Sequence, residues 1–129
     1  MGRISRSLVL VLALLMVPAL GLAAEKLSFS IVTGGTGGVW YPLGGALGGV
    51  ISKAVPGADA TSEATTAAID NLKLLVAGRA GMAFCYDYHP VWANEGKMTK
   101  ELGKKQPVRV VLSFYEQPLH VVTKEGTGI

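Results

Sequence analysis

Cysteine is almost absent from this sequence, because Cys85 is the only one among 129 residues. A single cysteine cannot form a disulfide within the chain, so the fold depends on packing alone. Cys85 ends the apolar stretch 82–85, and a thiol in such a stretch is usually buried and unreactive. We therefore expect neither a disulfide-stabilised scaffold nor a cysteine nucleophile.

Histidine is scarce as well, with only His89 and His120. Cys85 and His89 have the right spacing for two zinc ligands, but the second half of a zinc pattern is missing. No Gly-x-Ser-x-Gly elbow occurs, and isolated acidic residues do not identify a glycosidase pair. The sequence therefore predicts no metal, no cofactor, no catalytic residue and no enzymatic activity.

Charged residues make up 16% of the chain, and the net charge is +3. Arg3 and Arg6 lie in the leader described below, and without them the net charge is +1. The lysines between residues 97 and 105 alternate with Glu101 and follow Glu95, so they form no contiguous basic face. We expect no nucleic-acid partner.

Long apolar runs are absent apart from residues 8–17. Arg3 and Arg6 precede this run, and the small residues Ala23 and Ala24 follow it, which is the layout of a cleaved secretory signal. The run has half of the roughly 20 residues needed to span a bilayer. Residues 1–24 are therefore predicted to be a signal peptide, and the mature chain is expected in the periplasm.

Glycine, in contrast, is abundant, and residues 31–42 form a glycine-rich bend between an apolar strand and a helix. The first N–H groups of a helix have no partner within it and carry partial positive charge, so they bind anions. Trp40 occupies the place of the third glycine in a dinucleotide-binding pattern, and no lysine follows Gly49 as a triphosphate loop requires. The bend is predicted to hold a carboxylate or phosphate without nucleotide recognition.

The remaining pattern alternates strands and helices. We predict strands at 27–32, 58–62, 81–85, 108–114 and 120–123, a helix after the glycine bend, and a second helix capped by Thr65 or Thr66 and ending at Gly78. A short helix follows at 91–95, and then a polar loop at 96–107. This order indicates an α/β fold with a mostly parallel sheet and helices on both faces. Ligands bind at the carboxyl edge of such sheets, where the loops 33–41, 63–68, 86–89 and 114–117 are expected to meet.

Three sequence blocks, at 33–45, 63–75 and 115–129, carry a family resemblance. The first reads Thr-Gly-Gly-Thr-Gly-Gly-Val-Trp-Tyr-Pro-Leu-Gly-Gly, the second contains Asn71 and Leu72, and the third begins Tyr-Glu-Gln-Pro-Leu-His. With these blocks the chain resembles the TAXI family of solute-binding proteins, the receptors of TRAP-type secondary transporters.

The resemblance implies a type II periplasmic-binding fold of two lobes, a small carboxylated solute such as glutamate or glutamine, a TRAP permease as the membrane partner, and a monomer. Residues 25–129 would be the first part of lobe 1, with the second lobe absent, and we expect this chain alone to bind weakly or not at all. The implied ligand-binding residues are Gly34, Thr36, Gly37, Val39, Tyr41, Thr65, Thr66, Tyr86, Asp87 and Tyr115.

The chain departs from the family pattern at several positions. Ala68 stands where the family usually has serine, and Thr66 stands where it usually has glycine. Tyr86, Asp87 and Tyr88 replace a more polar run. Two alternatives stay open from the residues alone: part of a secreted α/β enzyme with its catalytic residues elsewhere, and a small structural or signalling domain.

Overall fold

The computed structural model describes residues 26–118 and 120–128. The predicted signal peptide, residues 1–24, lies outside the described residues. Within them, no helix combines the length and the apolar character that crossing a bilayer requires. In chain order the elements are β1 (Leu27–Val32), α1 (Trp40–Ala54), β2 (Ala58–Glu63), α2 (Ala68–Val76), β3 (Met82–Ala83), α3 (Tyr88–Glu95) and α4 (Thr99–Leu102).

The three strands form one parallel sheet in the order β2-β1-β3, which confirms the predicted α/β class. β1 pairs with β2 along its full length, from Leu27 opposite Ala58 to Val32 opposite Glu63. On its other side, β1 pairs with β3 at Ile31 and Val32. Because the chain moves first to one side of β1 and then to the other, right-handed crossovers place α1 and α2 on opposite faces of the sheet.

Two glycines allow α1 to pack closely on the sheet. A Cβ atom at Gly44 would lie 2.4 Å from Thr33 Cγ2, and one at Gly48 would lie 2.5 Å from the Ala60 carbonyl oxygen. Both glycines are buried. Gly45 and Gly49 share the sequence spacing but face open space, so only one of the two glycine pairs serves packing.

The main apolar cluster joins α2, α3 and α4. It consists of Leu72, Ala93, Met98 and Leu102, with Cys85 and Val108 among the residues packed against it. The predicted helix at 91–95 begins earlier, at Tyr88, because the Asp87 carboxylate accepts the Tyr88 N–H at 2.8 Å and caps it. The predicted loop at 96–107 was wrong in part, because burial of Met98 and Leu102 stabilises the short helix α4 within it.

The start of α2 differs from the prediction. Its N-cap residue is Ala67, with no side-chain cap, and not Thr65 or Thr66. The Thr65 hydroxyl accepts the Ala67 N–H at 3.1 Å, one residue before the helix, while the Thr66 hydroxyl bonds to the Asp70 carboxylate. Gly78 follows the end of this helix with φ of 70°, as its position in the sequence predicts.

The predicted strands at 108–114 and 120–123 were wrong, because no described residue of either segment belongs to a ladder. The predicted strand at 81–85 is reduced to the two residues of β3. A cavity of about 910 Å³, lined by Met82 and Phe84 on one side and by residues 106–117 on the other, lies between β3 and the later segment. A strand requires a partner at hydrogen-bonding distance, so sequence preference alone does not produce one here.

Candidate functional site

A small cavity lies at the carboxyl edge of the sheet, where β1 and β3 end side by side. β2 lies on one side of β1 and β3 on the other, so the strand order reverses here, as it does where ligands bind in open α/β sheets. The cavity has a volume of about 250 Å³ and is lined by Gly34, Gly35, Gly38, Val39, Trp40, Ala67, Tyr86, Tyr115 and Gln117. The loops after all three strands therefore reach it, together with the segment around residue 115.

The floor of the cavity is the glycine-rich bend. Gly38 donates its N–H to the Gly35 carbonyl oxygen at 2.9 Å, which closes a turn, and Val39 is the N-cap residue of α1. Within the described residues, no protein acceptor bonds to the N–H groups of Gly35, Thr36, Gly37, Val39 or Trp40. These amides lie at the positive end of a 15-residue helix, which attracts a negatively charged group.

Aromatic rings surround Trp40, the residue at which α1 begins. The Trp40 ring lies 6.0 Å from that of Phe84 and 5.4 Å from that of Tyr86, measured between centroids. The indole Nε1 of Trp40 donates to the Tyr115 hydroxyl at 3.1 Å. The site therefore combines an anion-attracting backbone with apolar ring surface, which suits a small solute that has a charged end and a short carbon skeleton.

Four of the ten predicted ligand residues line this cavity: Gly34, Val39, Tyr86 and Tyr115. Thr36 and Gly37 lie exposed in the same bend, outside the cavity lining, and Asp87 lines the larger cavity instead. The carbonyl oxygen of Tyr41 accepts the Ser62 hydroxyl at 3.0 Å.

Three of the polar side chains on the list, those of Thr65, Thr66 and Asp87, bond to groups within their own loops or to the adjoining helix. The Thr65 hydroxyl donates to Asn71 Oδ1 at 2.5 Å, the Thr66 hydroxyl donates to Asp70, and Asp87 caps α3. These hydrogen bonds hold the loops in place, and the role of each residue toward a ligand stays a prediction.

Sequence reasoning missed five lining residues: Gly35, Gly38, Trp40, Ala67 and Gln117. The bend itself was the signal for the first three, because they belong to the same twelve-residue stretch. Ala67 and Gln117 lie in the loops 63–68 and 114–117, which the sequence places at this edge, but the list of individual ligand residues did not include them. The φ of 84° and ψ of −174° of Ala67 lie in a region that is essentially restricted to glycine.

Burial favours the neutral forms of two groups near the site, the Cys85 thiol and the His89 imidazole. Burial, with a further contribution from the Asp87 charge, raises the pKa of the Cys85 thiol to about 11. The thiol is therefore protonated at neutral pH and is a poor nucleophile. Burial also lowers the pKa of His89 below its usual 6.5, while Asp87 acts in the opposite direction.

A comparison with known protein families shows which family the chain belongs to. The profile of the NMT1-like family matches residues 31–129, well over half of the sequence. The chain belongs to the NMT1-like family. This family is of the periplasmic solute-binding type and is not typically enzymatic. The match begins within β1 and includes the whole glycine-rich bend.

Membership of the NMT1-like family agrees with the observed three-stranded α/β sheet, which is consistent with one lobe of a binding protein. Solute-binding proteins of this kind are typically extracytoplasmic, bind a small ligand and work with a membrane transporter. The cavity at the ends of β1 and β3 is the candidate site for such a ligand in this NMT1-like chain.

Proposed function

We propose that this protein is an extracytoplasmic receptor that captures a small carboxylated solute, such as glutamate, glutamine or a related acid, for a TRAP-type permease. The observation that carries the proposal is the group of unpaired N–H groups at the start of α1, beside a cavity of about 250 Å³. In this proposal the TAXI resemblance of residues 33–45 specifies the transporter class within the broader family.

The solute carboxylate would lie on the glycine-rich bend, because free amides and the positive end of α1 stabilise a negative charge there. Its carbon skeleton would contact the rings of Trp40 and Tyr86, which are 5.4 Å apart. No lysine or arginine lines the cavity, so backbone amides supply the attraction. Recognition by backbone amides requires the glycines, because a side chain in the bend would occupy the space of the ligand.

The test is a titration with L-glutamate followed by the fluorescence of Trp40 in a Trp92→Phe background. Glutarate and glutaramide form a matched pair of further ligands, because they share a carbon chain and differ in whether its ends are charged carboxylates or neutral amides. We expect L-glutamate and glutarate to give a larger response than glutaramide, even where binding is weak. An equal response to glutaramide would contradict the proposal.

A substitution in the bend tests whether its glycines bind the ligand or only support the fold. A Cβ atom at Gly35 meets no atom within 4 Å, yet Gly35 lines the cavity. Gly35→Leu should therefore fold normally and lose the response to L-glutamate. The matched control is Gly49→Leu, which also faces open space but lies on α1 away from the cavity; it should respond as the unmodified protein does.

A further inference from the structure

Asn71 is a fully buried polar residue in the first turns of α2. It does not line the cavity, and the prediction of ligand-binding residues did not include it. A buried amide is retained in a protein only when its hydrogen bonds are satisfied. The groups that form hydrogen bonds with Asn71 therefore indicate its role.

The side chain of Asn71 joins the chain segments that follow all three strands. Its Nδ2 donates to the Thr33 carbonyl oxygen at 2.5 Å, just after β1, and to the Phe84 carbonyl oxygen at 2.7 Å, just after β3. Its Oδ1 accepts the Thr65 hydroxyl at 2.5 Å, in the loop after β2. One side chain thus links the carboxyl ends of three neighbouring strands.

Each of these hydrogen bonds ends beside the wall of the cavity. Thr33 precedes Gly34, the Phe84 ring packs against Trp40, and the Thr65 hydroxyl accepts the N–H of Ala67. Gly34, Trp40 and Ala67 all line the cavity. The position of Asn71 therefore controls the distances between the walls, although it is not in contact with a ligand placed there.

We propose that Asn71 is a positioning residue that sets the width of the ligand cavity by joining the loops after β1, β2 and β3. Only an amide has the two donors and one acceptor that this arrangement uses. Aspartate has the same shape but, when ionised, cannot donate to either carbonyl oxygen. The inference rests on the proposed function only in taking this cavity as the ligand site.

The first measurement needs no ligand. The indole N–H resonances of Trp40 and Trp92 are recorded by NMR for Asn71→Asp, because Trp40 packs on Phe84 and Tyr86 at the cavity. We expect the Trp40 resonance to move or broaden while the Trp92 resonance keeps its position. Equal movement of both resonances would indicate general loss of structure and would overturn the proposal.

A matched control is Asn94→Asp. Asn94 also donates its amide to two backbone carbonyl oxygens, those of Pro90 at 2.9 Å and Val108 at 2.7 Å, but it lies on α3 away from the cavity. The chemical change is the same, so the free energy of unfolding should fall for both variants. The Trp40 resonance should move only for Asn71→Asp, and a similar movement for Asn94→Asp would count against the proposal.

Substitutions at Thr65 keep the proposal testable if Asn71→Asp does not fold. Thr65→Val removes the hydroxyl that bonds to Asn71 Oδ1, whereas Thr65→Ser keeps it. The Trp40 resonance should move in Thr65→Val. In Thr65→Ser it should lie closer to its position in the unmodified protein than it does in Thr65→Val. Identical spectra for the two variants would contradict a role for this hydrogen bond.

The affinity for L-glutamate is measured on the folded variants. We expect Asn71→Asp to weaken it at least tenfold, and Asn94→Asp to change it less than twofold. If the unmodified protein binds glutaramide as tightly as L-glutamate, the proposed function fails, while the indole resonances still decide whether Asn71 positions the cavity. Unchanged affinity in a folded Asn71→Asp variant would overturn the inference.

Discussion

At the scale of single residues, Ala67 combines a strained backbone with a place in the cavity wall. Its φ of 84° is the only positive value at a residue other than glycine within the described part of the chain. Such a conformation costs on the order of 1–3 kcal/mol, and strain of this kind is often found at binding sites. The loop after β2 therefore keeps Ala67 in a backbone conformation that alanine disfavours.

Replacing Ala67 with glycine should raise the free energy of unfolding by about 1 kcal/mol. Glycine removes the strain at positive φ, and this gain exceeds its larger entropy loss on folding, about 0.5–1 kcal/mol. Urea denaturation measures the change. The control is Ala77→Gly, because Ala77 has an ordinary φ of −80° and should lose stability. A loss of stability for Ala67→Gly would contradict the strain argument.

His89 gives the protein a defined response to pH. It is 4% exposed, its Nδ1 has no hydrogen-bond partner within the described residues, and burial lowers its pKa. The unfolded chain therefore takes up a proton near pH 6.5 that the folded chain does not, and stability falls as the pH drops below about 6.5. This loss ends once the pH is below the lowered pKa of the folded state.

The change His89→Gln should reduce this loss of stability. We expect the difference in the free energy of unfolding between pH 7.5 and pH 5.5 to be smaller in the variant than in the unmodified protein. Urea denaturation at the two pH values measures both differences. If they are equal, protonation of His89 does not couple to folding.

At the scale of elements, α1 shows how similar glycines have different roles. Gly48 contacts the backbone of Ala60, while Gly49 faces open space one residue later. The sequence contains two glycine pairs with the same spacing, Gly44 with Gly48 and Gly45 with Gly49, and does not distinguish them. The rotation of the helix on the sheet decides which pair is buried.

We expect Gly48→Ala and Gly49→Ala to have opposite effects on stability. Gly48→Ala forces a Cβ atom to within 2.5 Å of a carbonyl oxygen, and such overpacking costs about 1–3 kcal/mol. Gly49→Ala should raise the free energy of unfolding by about 0.5–1 kcal/mol, because alanine favours the helix. Thermal unfolding of both variants measures this, and a loss of stability in Gly49→Ala would show that the exposed face is also packed.

Much of the element order was predictable, and the exceptions have physical causes. β1, α1 and β2 follow from apolar periodicity together with the breaks at the glycine bend and at Gly57, all of which are local properties. Residues 108–114 have the composition of a strand, but residues 109–114 lie exposed, with Val111 at 77% exposure. A strand forms only where another strand is close enough to pair, and no local pattern carries that information.

At the scale of the whole molecule, we expect the predicted leader to direct the protein out of the cytoplasm. Expressed with residues 1–24, the chain should be exported, and mass spectrometry should show a mature form that begins at Ala24 or Glu25. Leu12→Arg together with Leu14→Arg interrupts the apolar run and should leave the chain uncleaved in the cytoplasm. Leu12→Ile with Leu14→Ile keeps the run and is the control. Cleavage of the arginine variant would contradict the prediction.

The sequence by itself determined the α/β class and the glycine-rich bend before a helix, because these depend on short-range backbone preferences and apolar periodicity. The family resemblance also implied Gly34, Val39, Tyr86 and Tyr115 as ligand residues; these four line the cavity, and their role toward a ligand stays a prediction. Only the tertiary structure decided which residues of the converging loops line that cavity, that Asn71 joins three loops and that residues 108–114 have no strand partner within the described residues. These properties depend on distances between residues far apart in the chain, which the folded arrangement alone sets.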